Sequence, residues 1–230
     1  MKIIKYLIWL LYPVFFIALF ASLLTTKPYM RFSEGLYASH ENITFDYDYV
    51  TGKLIDYLNY RSDDLHFGAN PEDDTPILRH ETRIENGEEV LISEIEHMKD
   101  VRTVYTQVRI AGLVSLGLVI MFSGFLWKKD RKLLSETYRD IYLFPLFFIL
   151  FVGGWFIVDF HHAFTIFHEI FFEGNWQFSV NDTLILLLPQ MFWFVSGVII
   201  LFLLGITIGT TMLLSRYYLS KTIDTEEVGS

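Results

Sequence analysis

Of 230 residues, 52% are hydrophobic and 17% aromatic, against 20% charged, a balance that excludes an ordinary soluble domain of this length. The formal net charge of −9 excludes nucleic acid as a partner. Cysteine is absent, which excludes a disulfide scaffold and a thiol nucleophile, so any nucleophile must be another group or arrive with the substrate.

A membrane-crossing helix needs about 20 mostly apolar residues. Four segments qualify: 1–25, 104–127, 141–161 and 190–214. The first, "MKIIKYLIWLLYPVFFIALFASLL", has the basic start of a secretory signal, but its apolar core is too long and no small-x-small cleavage site follows. It reads as a retained anchor in which Pro13 introduces a kink that neighbouring helices absorb.

Residues 26–103 carry the whole charge imbalance, with 17 acidic against 8 basic residues. Within them "DYVTGKLIDYLNYR" spaces Val50, Leu54, Ile55 and Leu58 as one face of a short helix, and "RSDDLHFGANPEDDTP" reads as polar loop. Asn86-Gly87 between two short runs predicts a hairpin with a tight turn. The Asn42 and Asn181 sequons are three-residue matches that chance explains. Ser93 followed by Glu96 in "SEIEHMKDV" is a capping box that opens a helix running straight into the second crossing.

The loop 128–140, "KKDRKLLSETYRD" with its basic cluster, sets the orientation, because Lys and Arg near short loops stay cytoplasmic. Lys2, Lys5, Arg216 and Lys221 flank the termini and agree with it, the tail 215–230 included. The expected fold class is therefore a membrane α-helical protein with four transmembrane helices, both termini inside, and a small mixed α/β extracellular cap at 26–103. A second extracellular segment at 162–189 completes the outer face. The protein is expected in the cell membrane, multi-pass, with its working surface outside.

The stretch "HHAFTIFHEIFF" follows the third crossing. Helical spacing puts Phe160, Phe164, Phe167 and Phe171 on a stripe suited to packing or lipid, and His161, Thr165 and His168 on another. If the helix continues, His168 stands about 10 Å beyond His161, and His97 stands the same distance before Val104, so the two imidazoles share one height. Arg109 either snorkels or faces a polar cavity. A zinc site is disfavoured, since His residues seven apart on one helix are too far from each other and no i, i+4 pair exists. The sequence has no G-x-S-x-G elbow, P-loop or H-E-x-x-H. A channel is disfavoured because the crossings hold few polar groups.

"EIEHMKDV" at the head of the second crossing, and "FHEIFFEGNWQF" with "DTLILLLP" before the fourth, resemble the blocks of the lipoprotein intramolecular transacylases of Gram-positive bacteria. The resemblance implies transfer of the sn-2 acyl chain of a diacylglyceryl-modified lipoprotein to the α-amino group of its N-terminal cysteine, giving a lyso-form lipoprotein. It implies catalysis by His97 and His168, without cofactor or metal, and with membrane lipid as the surroundings. His161 and His162 fall outside the motif positions. Asp100, one turn after His97, is placed to orient its ring. Phe171, Phe172, Trp176 and Phe178 are candidate walls near His168, and each also suits an interfacial aromatic belt. The other reading is a non-enzymatic membrane protein that binds lipid or lipoprotein through its acidic cap.

A substrate amine has a pKa near 7.7 to 8.0 and imidazole one near 6.5, so proton transfer between them is uphill by roughly 2 kcal/mol, within reach of a general base. Holding amine and ester in attack geometry is worth roughly 7 to 11 kcal/mol in favourable cases.

Overall fold

The structure, a computed structural model, describes residues 1–37, 43–85, 88–172, 174 and 176–219. Two compact units divide the chain: Met1–Ala21, Val108–Val158 and Gly197–Ser230 form one, and Ser22–Gln107 with Asp159–Ser196 the other.

The first unit holds α1 (Lys2–Leu24) up to Ala21, the apolar run of a long helix that begins in the other unit, the chain that follows that run to Val158, and the chain from Gly197 onward. Among the described residues four helices are long and apolar enough to cross a membrane: Lys2–Leu24, Glu94–Lys129, Arg131–Val158 and Gln190–Tyr217. Their apolar residues are too many for one face, so large side chains such as Leu113, Phe147, Leu150 and Phe202 point outward, as a bilayer requires. Between the helices, Ile8, Leu126, Ile141 and Leu204 are fully buried. A Cβ on Gly112 would stand 2.5 Å from the Ala18 Cβ, so a glycine is what permits this close approach. At one end, Lys5 Nζ pairs with Asp140 at 2.9 Å and Trp9 Nε1 donates to the Thr137 carbonyl. α1 runs without a break through a buried Pro13.

The third crossing departs from the expected 141–161. Residues expected as loop form a helix from Arg131 to Arg139, capped by Asp130, whose carboxylate accepts the Leu133 N–H. The crossing continues through Leu143–Phe148, a π-helical turn Ile149–Gly153 and Gly154–Val158. It stops at Asp159, which leaves helical geometry (φ −137°, ψ 70°) and caps the next helix by accepting the His162 N–H. A carboxylate that bonds a backbone N–H favours the cap over the helix interior.

The second unit begins with α2 (Lys27–Tyr37), a helix additional to those expected from the sequence, followed by α3 (Tyr47–Leu58), which starts on an Asp46 cap. The loop after α3 is turned by carboxylate and amide side chains that accept N–H groups two residues on, at Asp64, Asn70 and Asp73. Leu65 and Phe67 nevertheless reach inward and join Val50, Leu54, Tyr57 and Met98 in the unit's core. Strands β1 (His80–Glu85) and β2 (Glu88–Ser93) pair antiparallel with His80 opposite Ser93. The expected turn at Asn86-Gly87 and the Asn42 sequon lie outside the described residues.

Ser93 then caps α4 (Glu94–Lys129), its hydroxyl accepting the Glu96 N–H at 3.1 Å. Thirty-six residues extend ~54 Å against about 30 Å of hydrocarbon, so the charged first turns, residues 94–102, fall outside the apolar run that starts at Val104. The helices named by their bounds above are α5 (Arg131–Arg139), α6 (Leu143–Phe148) and α7 (Gly154–Val158). The unit is completed by α8 (Phe160–Phe171) and α9 (Thr183–Leu187), and α10 (Gln190–Leu214) begins in it.

Candidate active site

Two helices supply one imidazole each. His97 sits in the first turns of α4, a location fixed by the Ser93 cap and by Ile95 and Met98, which flank it and bury themselves in the unit's core. His168 sits in the last turn of α8, which Phe172 ends in extended geometry while its N–H still bonds the His168 carbonyl. The break at Asp159 removes the continuous helix on which equal height was counted, yet the rings do meet. Their centroids are 6.1 Å apart and their planes 16° from parallel. Both residues are buried, at 8% and 7% exposure, a condition ordinary surface histidines do not share.

Aromatic rings surround the pair. Phe172 lies 4.8 Å from His97 and 5.3 Å from His168, Phe178 lies 5.3 Å from His97, and Trp176 lies 5.0 Å from His168. Phe164 at 4.0 Å and Phe167 at 5.5 Å close the α8 side. Those two were assigned to a packing stripe in the sequence. The i−4 spacing of Phe164 from His168 was the signal that marked it as a neighbour. Phe171, expected as a wall, is exposed and contacts Phe167 instead.

His168 Nδ1 stands 2.8 Å from the Phe164 carbonyl oxygen. A carbonyl can only accept, so the proton is on Nδ1 and the lone pair of the neutral ring is on Nε2. Burial lowers the His168 pKa, opposed by that carbonyl bond. His97 is lowered further, to about 4, first by burial and then by the charge His168 would carry. Its Nδ1 is buried with no hydrogen-bond partner among the described residues. Asp100 was expected to orient this ring. It is exposed, and the buried Nδ1 of His97 does not have it as a partner.

Arg109 is exposed and belongs to the first unit. His161 and His162 are exposed at the start of α8, where His161 bonds Gln190 and His162 pairs with Asp159 at 3.7 Å. No group of three or more metal-ligating side chains forms among the described residues.

A buried polar frame of residues distant in sequence lies in the same unit as the pair. Glu94, with 0% exposure, accepts the Arg79 N–H at 2.7 Å and the Leu184 N–H at 2.6 Å. Arg79 Nη1 reaches Asp182 Oδ1 at 2.7 Å, and the other Asp182 oxygen accepts the Ser179 N–H. Thr183 donates to the Ile77 carbonyl. A single glutamate among 17 acidic residues of one segment carries no mark of burial. Its place one residue past a helix cap was the available hint.

Comparison with known proteins bears on what this site belongs to. The membrane-integral lipoprotein intramolecular transacylase Lit of Bacillus cereus, solved in meso, shares the fold with a TM-score of 0.71, covering 97% of each chain at 19% identity. An uncharacterised protein of Aquifex aeolicus is 27% identical over 146 residues, 60% of this chain, and the match spans 63% of that relative's length. The profile described as lipoprotein intramolecular transacylase Lit matches residues 1–193, and with four apolar helices of spanning length the chain is a multi-pass membrane protein that belongs to the Lit family.

Proposed function

We propose that the protein transfers an acyl chain within one lipoprotein molecule, from the sn-2 glyceryl oxygen to the α-amino group of the N-terminal cysteine. The second unit, with α2, α3 and the hairpin, is the extracellular cap in this reading, and both chain termini are cytoplasmic. One observation carries it: two buried imidazoles from separate helices lie nearly parallel inside an aromatic enclosure, and one of them is held in a single tautomer.

His168 presents Nε2 as the general base. It takes a proton from the amine as the nitrogen attacks the ester carbonyl, and returns that proton to the departing glyceryl oxygen. The C–O bond breaks, the C–N bond forms, and the protein ends unchanged in charge. His97 has too low a proton affinity to compete as base, and its neutral N–H is the donor to the oxyanion that develops on the carbonyl. No acyl-enzyme is needed, which agrees with a chain that has no cysteine. Phe172, Trp176 and Phe178 keep water from the ester.

Migration leaves the substrate's mass unchanged, so the assay is fragmentation of the N-terminal peptide of a reporter lipoprotein by tandem mass spectrometry. His97→Gln and His168→Gln are each expected to lower conversion by about 10²-fold or more while inserting normally. Full conversion by either variant removes that residue from the mechanism. If both convert fully while changes on the acidic surface abolish function, the protein is a lipoprotein binder.

A further inference from the structure

The frame behind the histidines has a job that catalysis by the two rings does not assign. Glu94 is one helical turn before His97. Its two carboxylate oxygens hold two backbone N–H groups that are 105 positions apart, at Arg79 and Leu184. From Leu184 the chain leads back through Asp182, whose side chain is 1% exposed and gripped by Arg79 and the Ser179 N–H, to Phe178 and Trp176. Glu94 thus ties the helix that carries His97 directly to the strap that carries two of the rings enclosing the pair, and Asp182 ties that strap to Arg79, whose N–H Glu94 also holds. Leu184 and Phe178 also pack in the core that holds Ile95 and Met98 of α4, and Thr183 adds a bond to the Ile77 carbonyl.

We propose that Glu94 and Asp182 are positioning residues that decide which nucleophile takes the acyl group, by holding the strap of residues 176–184 against His97 so that the amine and not water meets the ester. The inference rests on the acyl-transfer reading. With the strap loosened, water attacks the same carbonyl: the C–O bond to the glyceryl oxygen breaks, that oxygen gains a proton, and a free fatty acid departs instead of an amide forming. A buried carboxylate suits this task because an amide in its place would set an NH₂ group against one of the two backbone N–H donors.

The test uses the full-length protein in proteoliposomes with a synthetic diacylglyceryl lipopeptide, and separates N-acylated product from deacylated product by tandem mass spectrometry. Glu94→Gln and Asp182→Asn are each expected to shift the ratio of hydrolysis to transfer by about tenfold or more towards hydrolysis, with KM within about twofold of the parent. Glu94→Asp, which can still hold one of the two N–H groups, is expected to fall between. A loss of rate with the parent's product ratio in all three variants overturns the proposal, since it reports a purely structural role. Failure of all three to be recovered folded overturns it too, because the frame then supports the whole unit. Absence of transfer by the unaltered protein instead strikes the acyl-transfer reading and is read from the parent lane alone.

Discussion

The proton is the most direct perturbation of this site. His97 has a folded pKa of about 4 against 6.5 for the free side chain, so the unfolded chain binds the proton more readily. Stability linked to this residue is complete above about pH 6.5 and is lost as pH falls through the window down to about 4. Worked for one site, the loss between about pH 7.5 and pH 5 is about 2 kcal/mol, which lowers a melting midpoint by roughly 4 to 8 °C for a chain of this size. His168 is shifted the same way and adds to the slope. The measurement is thermal unfolding in detergent micelles at both pH values for the parent and for His97→Gln, with the difference between them taken at each pH. The variant should lose less on acidification, by about the His97 contribution. Equal pH slopes in parent and variant refute the reasoning, for they mean His97 is as easily protonated in the fold as out of it.

Other outcomes follow from single contacts. Asp100→Asn should leave the acyl-transfer rate within about twofold, as an exposed side chain that is no partner of the buried His97 Nδ1 has little leverage on that ring. Initial rates on the lipopeptide check this. Trp176→Ala should lower kcat by about tenfold with a smaller change in KM, because it removes the ring packed 5.0 Å from His168, and a lone rise in KM would assign Trp176 to binding. In the first unit, Gly112→Ala forces a Cβ against Ala18 and should destabilise by about 1 to 3 kcal/mol, whereas Gly117→Ala, with open space at that Cβ, should be neutral or mildly stabilising. Comparative melting of the two variants decides it.

The crossings were legible because about 20 apolar residues in a row have few alternatives to a bilayer, and the helix at Tyr47 and the Ser93 cap were legible because amphipathic spacing and a side-chain acceptor act locally. The end of the third crossing was not. Asp159 is one polar residue at the margin of an apolar run, and only its backbone angles reveal that it caps a new helix rather than extending the old one. The helix Lys27–Tyr37 does carry an apolar stripe at helical spacing, Tyr29, Phe32 and Leu36, but its eleven residues follow directly on a much longer apolar run that dominates the pattern. At the site, motif blocks pointed to positions 97 and 168, and the coordinates place those rings together. What lies between the blocks in space was hidden: Arg79, Glu94 and Asp182 converge from 103 positions of sequence, and no local pattern encodes that meeting.

The burial that makes the histidines weak bases sharpens the chemical problem of the proposed transfer. A base with a pKa lowered below 6.5 makes deprotonation of a resting ammonium of pKa near 8 more steeply uphill than it is for a solvated imidazole. Two effects of the same apolar enclosure resolve this. Desolvation disfavours the charged form of the substrate's ammonium as it does that of the rings, so the amine is driven towards neutrality on entering. Once the neutral amine attacks, its nitrogen becomes positively charged and far more acidic, and a weak imidazole then suffices to take the proton. The rings of Phe172, Trp176 and Phe178 are in this sense part of the nucleophile's activation. The rate should therefore rise with pH along the titration of the substrate amine and carry no limb near 6.5, and a substrate whose N-terminal amine has a lower pKa should shift that rise to lower pH by the same amount. A limb near 6.5 that stays fixed when the substrate amine is changed would place an ordinary, solvated histidine in the reaction and remove the buried pair from it.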